Sequence, residues 1–277
     1  MIRFITHSGT YHADDVLSTA LLELITGFEA VDTSKPGYNP EVDSEGKVEL
    51  LRVNKIEDVK VKLIDFVYDI GGGRFDHHQK DKKVRSNGIP YAAFGLLWAE
   101  YVEQELELHP DMVQLMDEEF VQYIDQTDNF GQAKYPNPLS ALISANFQAG
   151  VPFLDTVHMV KPMLENLIAQ YKELSEQKKN IEAFDGISHI FQNLKKHYDS
   201  RAFKGTSFKF VIGPSNRGDG VVLRSLDSDN YPIVDVEGVT PIFIHTGRFT
   251  ATYNNVEDAY RVAADSIKAA EKEGEQI

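Results

Sequence analysis

The chain of 277 residues contains no cysteine. Disulfides, thiolate metal sites and cysteine nucleophiles are excluded, so any metal must be held by imidazole and carboxylate. Cations are also scarce: 28 Lys and Arg stand against 43 Asp and Glu, a formal net charge of −15. Such a field repels polyanions unless positive charge is concentrated locally, which disfavours a long non-specific grip on duplex DNA. No apolar run approaches the roughly 18 residues of a membrane span, and the opening MIRFITHSGT lacks a cationic segment followed by a long apolar one. A soluble, cytoplasmic protein without membrane attachment is expected. No internal repeat or low-complexity tract is present, and the acidic residues 271–275 read as the solvated end of a helix.

What is present is ordinary globular material, 42% hydrophobic and 26% charged, enough for a sizeable core. The length favours two domains over one. Residues 2–6 form a β-rich run ending at His7 and Gly9, and from Asp14 onward Val16, Leu17, Ala20, Leu21 and Leu24 recur at helical spacing. Residues 31–33 suit a second strand, followed by irregular structure or a hairpin around Pro36, Gly37, Pro40 and Gly46. Residues 66–70 read as a strand that breaks at Gly71, Gly72 and Gly73, with Asp69 at its end. Residues 91–106 and 112–124 carry apolar stripes near period 3.6 and read as helices. Strand-then-helix alternation predicts an α/β domain over 1–152 with a mainly parallel sheet flanked by helices. Residues 153–200 read as a helical connector interrupted at Asp185 and Gly186. Residues 201–277 read as a smaller mixed α/β domain, with strands over 208–212, 220–226 and 242–246 and a closing helix over 256–272.

Ligands of parallel sheets gather at the C-terminal strand ends, and that is where the metal-binding residue types fall. His7, His12, Asp14 and Asp15 share one strand-to-helix loop. Asp69 ends the 66–70 strand, and Asp76, His77 and His78 follow across the glycine-rich turn. Asp125 stands near the end of the 112–124 helix with Asp128 close behind. Taken singly, each is as well explained as a cap, a turn former or a surface residue. Four separated loop positions at one sheet edge are harder to explain that way, and His with Asp suits Mn, Zn, Fe or Mg.

The segments THSGTYHADD, VYDIGG, FDHHQK, SNGIPYAAFG and DQTDNFG, with FIHTGRFTATYNNVEDA near the C-terminus, resemble the melanocyte-proliferating-gene-one family of metal-dependent hydrolases. More broadly, the succession resembles the four motifs of the DHH phosphoesterase superfamily. The resemblance implies a DHH-type N-terminal domain and a C-terminal substrate-binding domain. It implies two divalent metals, usually Mn2+, with Mg2+, Zn2+ or Fe2+ as alternatives. By position, His7, His12 and Asp69 would hold one ion and Asp14, Asp69, His77 and Asp125 the other, with Asp69 bridging; Asp128 remains an alternative to Asp125. A bridging carboxylate brings two cations about 3.5–4 Å apart, close enough to polarise a phosphoryl oxygen and activate a water. Asp76, His78 and Asp69 are then the candidate catalytic groups. His12 stands where many members of the wider superfamily have an acid, and residues 248–253 (RFTATY) replace the superfamily's glycine-rich substrate loop.

Candidate phosphate contacts are Lys80, Lys82, Lys83 and Arg85, a basic loop in an acidic chain, followed by Ser86, Asn87 and Gly88 ahead of a helix start. In the second domain Arg217, Arg224, His245 and Arg248 are available, Arg248 foremost. The resemblance implies a metal-dependent phosphodiesterase, a 3′-5′ exonuclease on single-stranded RNA ends or short oligonucleotides. Within the superfamily the alternatives are a cyclic-dinucleotide phosphodiesterase or an inorganic pyrophosphatase-like hydrolase. Outside it, the alternative is a non-catalytic metal-binding protein. A homo-oligomer is compatible with the sequence.

Overall fold

β1 (Arg3–His7) buries Phe4 and Ile5 completely and delivers His7 to its C-terminal end. α1 (Ala13–Thr26) follows at once. Its start is fixed by Asp15 Oδ1, which accepts a 2.8 Å hydrogen bond from the His12 N–H, and its end by Gly27 at φ 71°. The computed structural model describes residues 2–33, 46–216 and 218–274. They form two compact units, 1–172 and 173–277. Among the described residues no helix is long and apolar enough to cross a membrane.

The first unit is built on a four-stranded sheet in the order β2-β3-β1-β4, with β2 Glu29–Asp32, β3 Lys47–Val53 and β4 Phe66–Val67. Every pairing in it is parallel. The irregular stretch or hairpin expected after residue 33 falls almost wholly outside the described residues; the parallel strand β3 that follows was not expected, and its alternating buried Val48 and Leu50 pair with Ala30 of β2 and Phe4 of β1. Pro36, Gly37 and Pro40 lie outside the described residues. The helices of this unit are α2 (Ala93–Glu105), α3 (Pro110–Met116), α4 (Gln122–Phe130) and α5 (Pro138–Gln148). α1 packs on α2 through a core that includes Val16, Leu17, Leu21, Phe94, Leu97 and Trp98. The single helix expected over 112–124 is interrupted by a π-helical turn at Asp117–Val121 and continues to Phe130. Such turns are frequent at functional sites because they re-aim the side chains that follow.

α6 (Phe153–Glu182) is one 30-residue helix. It ends before Asp185, and the remainder of the expected helical stretch contains the strand β5 (Ile190–Gln192) instead. The second unit holds a five-stranded mixed sheet in the order β5-β6-β7-β9-β8, with β6 Phe210–Pro214, β7 Val221–Ser225, β8 Phe243–Ile244 and β9 Thr250–Tyr253. One sheet face is apolar. Leu223, Ala251 and Tyr253 pack there against Ala259, Val262 and Ala263 of α7 (Val256–Gly274).

Candidate active site

The N-terminus of α2 organises the site. Its Ala93 and Phe94 N–H groups donate to Asp14 Oδ2 and Oδ1 at 3.0 and 2.7 Å, and the Gly95 N–H donates to Asp125 Oδ1 at 3.2 Å. Carboxylates from α1 and α4 thus cap a third helix, where the helix dipole favours negative charge. The fit excludes any side chain at position 95, since an added Cβ would stand 2.0 Å from Asp125 Oδ2. Arg85 closes the far side of Asp125, with Nη2 2.7 Å from Oδ2. It also donates from Nε to Asp117 Oδ2 at 2.8 Å and lies 3.8 Å over the Tyr91 ring.

Asp69 leaves the sheet edge in the left-handed region, at φ 57°, a conformation costly for most residues and tolerated by Asp. That turn aims its carboxylate between two histidines. Oδ2 lies 3.1 Å from His7 Nε2 and Oδ1 lies 3.4 Å from His77 Nδ1. His77 Nε2 in turn is 2.9 Å from Asp128 Oδ2, and His77 Nδ1 is 3.9 Å from Asp14 Oδ2. His12 Nδ1 stands 3.9 Å from Asp128 Oδ1. Asp76 does a different job: it accepts from the Gly72 and His78 N–H groups at 2.6 and 3.0 Å and lies 2.8 Å from His78 Nδ1, fixing the loop and that ring. His7, His12, Asp69, His77, His78, Asp128, Gln79, Lys82 and Asn129 line one cavity of about 480 Å³.

The charge balance is that of a cation site. Burial pushes the Asp14 carboxyl up, and the neighbouring charges of Asp128, Asp69 and Asp125 push it further. Burial raises Asp15 to about 7 against the pull of His7, and Asp125 to about 7 against the pull of Arg85. Burial opposes protonation of His7, yet the Asp69 hydrogen bond and the charges of Asp15 and Asp69 prevail and lift it to about 9. His77 is raised too: burial opposes this, and the hydrogen bond and charge of Asp128 outweigh it. The upward shifts reflect acidic charge crowded against burial at one place, a charge that a bound divalent ion would offset. Asp69 Oδ1 and His77 Nδ1 are buried and make no hydrogen bond, an expensive arrangement that metal coordination would relieve. Asp69, Asp76, His77 and His78 form one group with donor atoms close enough to share an ion, and Asp14, His77 and Asp128 form another. The oxygen and imidazole donors suit Mn, Fe or Zn.

The structure thus brings His7, His12, Asp14, Asp69, His77 and His78 to one place, with Asp76 bracing them. Asp125 turns its oxygens to Arg85 and to the Gly95 N–H, next to the N–H groups held by Asp14, and Asp128, one turn further along α4, stands 2.9 Å from His77 Nε2. Arg85 is buried on Asp117 and Asp125, so this expected phosphate contact is spent on carboxylates. Ser86, Asn87 and Gly88 form a turn closed by the Gly88 N–H on Arg85 O at 2.9 Å, while the helix-start N–H groups go to Asp14 and Asp125. Lys80, Lys82 and Lys83 are exposed, and Lys82 reaches Asn129 Oδ1 at 2.8 Å. In the second unit Arg248 is paired with Asp235 at 2.7 Å, and His245 lines a separate cavity with Arg224. Arg217 lies outside the described residues.

Sequence reasoning missed Gly95 and the Asp117–Arg85–Asp125 chain. A glycine three residues into a helix, where alanine would form helix better, was the available signal. Asp15, read from the sequence as a cluster member or a helix cap, does cap α1, and its Oδ2 also lies 3.4 Å from His7 Nε2 and 3.7 Å from Arg52 Nη2.

Comparison with known proteins places this geometry in a lineage. Residues 3–209 match the profile described as Uncharacterised protein family (UPF0160), named for MYG1 exonuclease. The chain is 30% identical over 148 residues to the MYG1 exonuclease of Rattus norvegicus, covering 45% of this chain and 34% of that protein. It is 27% identical over 161 residues to the MYG1 protein of Dictyostelium discoideum, covering 52% and 42%. It is 23% identical over 221 residues to the MYG1 protein C694.04c of Schizosaccharomyces pombe, covering 72% and 59%. The matched regions thus span about a third to three fifths of these relatives' lengths. No solved structure matches the chain. With its residues 3–209 matched and its aspartates and histidines gathered on one sheet edge, the chain belongs to the MYG1 family.

Proposed function

We propose that the first unit is a divalent-metal-dependent phosphodiesterase, acting as a 3′-5′ exonuclease on single-stranded RNA ends or short oligonucleotides. The observation that carries this reading is Asp69, a buried carboxylate presenting one oxygen to His7 and the other to His77, with Asp14 and Asp128 completing the cluster. The exonuclease name of its mammalian relatives supports the reaction class. The ligand set proposed is His7, His12, Asp14, Asp69, His77 and Asp128, with Mn2+ as the working metal.

Metal bound there would polarise a phosphoryl oxygen and supply hydroxide near neutral pH. The chain's own residues prepare the cavity for that chemistry. Asp15 and Asp69 hold the His7 ring, and Asp76 holds His78 on the cavity wall where it can contact the phosphoryl group. Arg85 neutralises Asp125, which leaves Asp14, Asp69 and Asp128 as the carboxylates available to a cation. Lys82 at the rim, with exposed Lys80 nearby, offsets the acidic field for an incoming phosphate.

The test is purified protein with Mn2+ or EDTA against end-labelled short RNA, short DNA, cyclic dinucleotides and pyrophosphate. Metal-dependent release of mononucleotides from the 3′ end of RNA is the expected result. Absence of metal-dependent turnover on every phosphodiester would overturn the reading.

A further inference from the structure

A second cavity of the first unit adjoins the metal site. Its volume is about 430 Å³, ordinary for a small-molecule site. His12 and Asp128 line it as well as the metal cavity, so the two meet at a wall of candidate metal ligands. Three helices build the rest: the start of α1 gives Ala13, α4 gives Ile124 and Thr127, and α5 gives Ser140, Ala141, Ser144 and Gln148. Spacing of four puts Ser140, Ser144 and Gln148 on one face of α5. Gly131, at φ 84° and ψ 151°, turns the chain out of α4 in a conformation essentially confined to glycine, and Gln132 beyond it joins the lining.

The chemistry of this lining differs from that of the metal cavity. Apart from the shared His12 and Asp128, none of its residues is ionisable. A phosphate would find no Lys or Arg here and would face the Asp128 carboxylate, so the cavity suits the uncharged part of a ligand. Buried Ala13 and Ile124 supply apolar surface. Around them stand amides and hydroxyls with spare capacity in both senses. Gln132 Nε2 donates to Asn137 O at 2.9 Å, which anchors the amide and leaves Oε1 as an acceptor. Gln148 Nε2 donates to Ser144 Oγ at 3.4 Å, which leaves the Ser144 O–H to donate and Gln148 Oε1 to accept. Ser140 Oγ is buried and makes no hydrogen bond among the described residues, an arrangement that costs stability unless a partner arrives. Thr127 differs, since its hydroxyl is spent on the Tyr123 and Tyr135 carbonyls at 2.9 and 2.8 Å. Apolar surface beside neutral donors and acceptors matches the face and edge of a nucleobase.

We propose that this cavity is the base-recognition site of the nuclease: it takes the nucleobase of the terminal nucleotide whose phosphate lies in the adjoining cavity, and Gln132, Ser144 and Gln148 set which base is preferred. A nucleotide joins an anion to a neutral heterocycle through one sugar, and the two cavities offer those two chemistries side by side. The proposal deepens the phosphodiesterase reading and rests on it for the choice of a nucleotide as ligand.

The test uses the full chain in EDTA with the four ribonucleosides, which carry no phosphate, and follows binding by ligand-observed NMR. Nucleosides are expected to bind, ribose to bind more weakly by about fivefold or more, and the best base to exceed the poorest by about fivefold, the worth of one hydrogen bond. Gln148→Leu, which removes an exposed amide at the end of α5, should weaken the preferred nucleoside by about fivefold and level the four. Ala141→Leu, which fills the cavity from an exposed helix position, should weaken all four, with thermal unfolding unchanged in both variants. In the hydrolysis assay Gln148→Leu should shrink the ratio of kcat/KM between RNA substrates that differ only in the 3′-terminal base. The nucleoside titration of Asp69→Asn should match the parent, so a failed hydrolysis assay leaves this result standing, while hydrolysis without nucleoside binding sinks the base site and spares the phosphodiesterase. No nucleoside binding at millimolar concentration, ribose binding as tightly as the nucleosides, or binding indifferent to both Gln148→Leu and Ala141→Leu would overturn the proposal.

Discussion

Gly95→Ala isolates the packing on which the site rests. The added methyl would sit 2.0 Å from Asp125 Oδ2 and 2.7 Å from Asp125 Cγ, so either the carboxylate or the helix must move. Asp125 is fully buried and held by Arg85 and the Gly95 N–H. Helix propensity alone would make Ala better than Gly by about 0.8–1 kcal/mol. Against that, overpacking costs about 1–3 kcal/mol, and displacing one member of a buried ion pair approaches the 3–5 kcal/mol of breaking it. The net expectation is destabilisation of about 2–4 kcal/mol.

Urea unfolding followed by Trp98 fluorescence measures this directly. Trp98 is the chain's single tryptophan, buried on α2 one turn beyond Gly95, so the signal belongs to the first unit. The Asp125→Ala background supplies the control. With the carboxylate gone the added methyl meets no clash, and Gly95→Ala should be neutral or stabilising by up to about 1 kcal/mol. A Gly95→Ala change within about 0.5 kcal/mol of zero in the parent chain, or one equally damaging in the Asp125→Ala background, would refute the reasoning.

Four further outcomes follow from the site's geometry and the chain's charge. Asp69→Asn, which keeps a side chain suited to φ 57°, should lower metal-dependent hydrolysis by more than about a hundredfold, beyond the 10–100-fold typical of a ligand's outer partners, with little change in metal-free stability. Asp128→Asn should weaken Mn2+ binding by calorimetry about tenfold or more, whereas Asp125→Asn should chiefly lower stability; the reverse pattern would return the ligand role to Asp125. In the metal-free protein the folded pKa values of Asp15 and His7, about 7 and about 9, lie above the ordinary 3.8 and 6.5. The folded state therefore binds the extra protons, and this stability is present at low pH and lost as pH rises toward 9. Thermal melts in EDTA should fall from pH 6 to 9 while the Mn2+-induced shift grows, since metal needs the deprotonated ligands; parallel trends would contradict the assignment. Finally, an acidic chain with few free cations should show a shallow salt dependence for single-stranded RNA, each engaged phosphate adding about −0.7 to the log–log slope; a steep slope with affinity still climbing at greater strand length would reveal a track absent from this account.

The sequence by itself determined the chemistry available and the type of most elements. Absence of cysteine left His and Asp as the metal donors, and period-3.6 stripes marked α1, α2 and α7 because helical burial leaves that imprint. The alternation of strand and helix placed His7 at the end of β1 and Asp69 just beyond β4, although β4 stops at Val67, short of the 66–70 expected. Tertiary structure decided the rest, because it depends on which elements meet. Asp125 and Asp128 are indistinguishable in a string of letters. The π-turn at Asp117–Val121 and the approach of α4 to α2 give one to Arg85 and the other to His77. Arg85 reads as a surface cation in a basic loop, yet two carboxylates from distant positions bury it. β3 was hidden behind its proline- and glycine-containing approach, since parallel pairing with β1 supplies stability that local propensity does not encode. The open face of the second sheet was equally invisible: alternation fixes which residues share a side, but only the packing of α7 decides which side is covered.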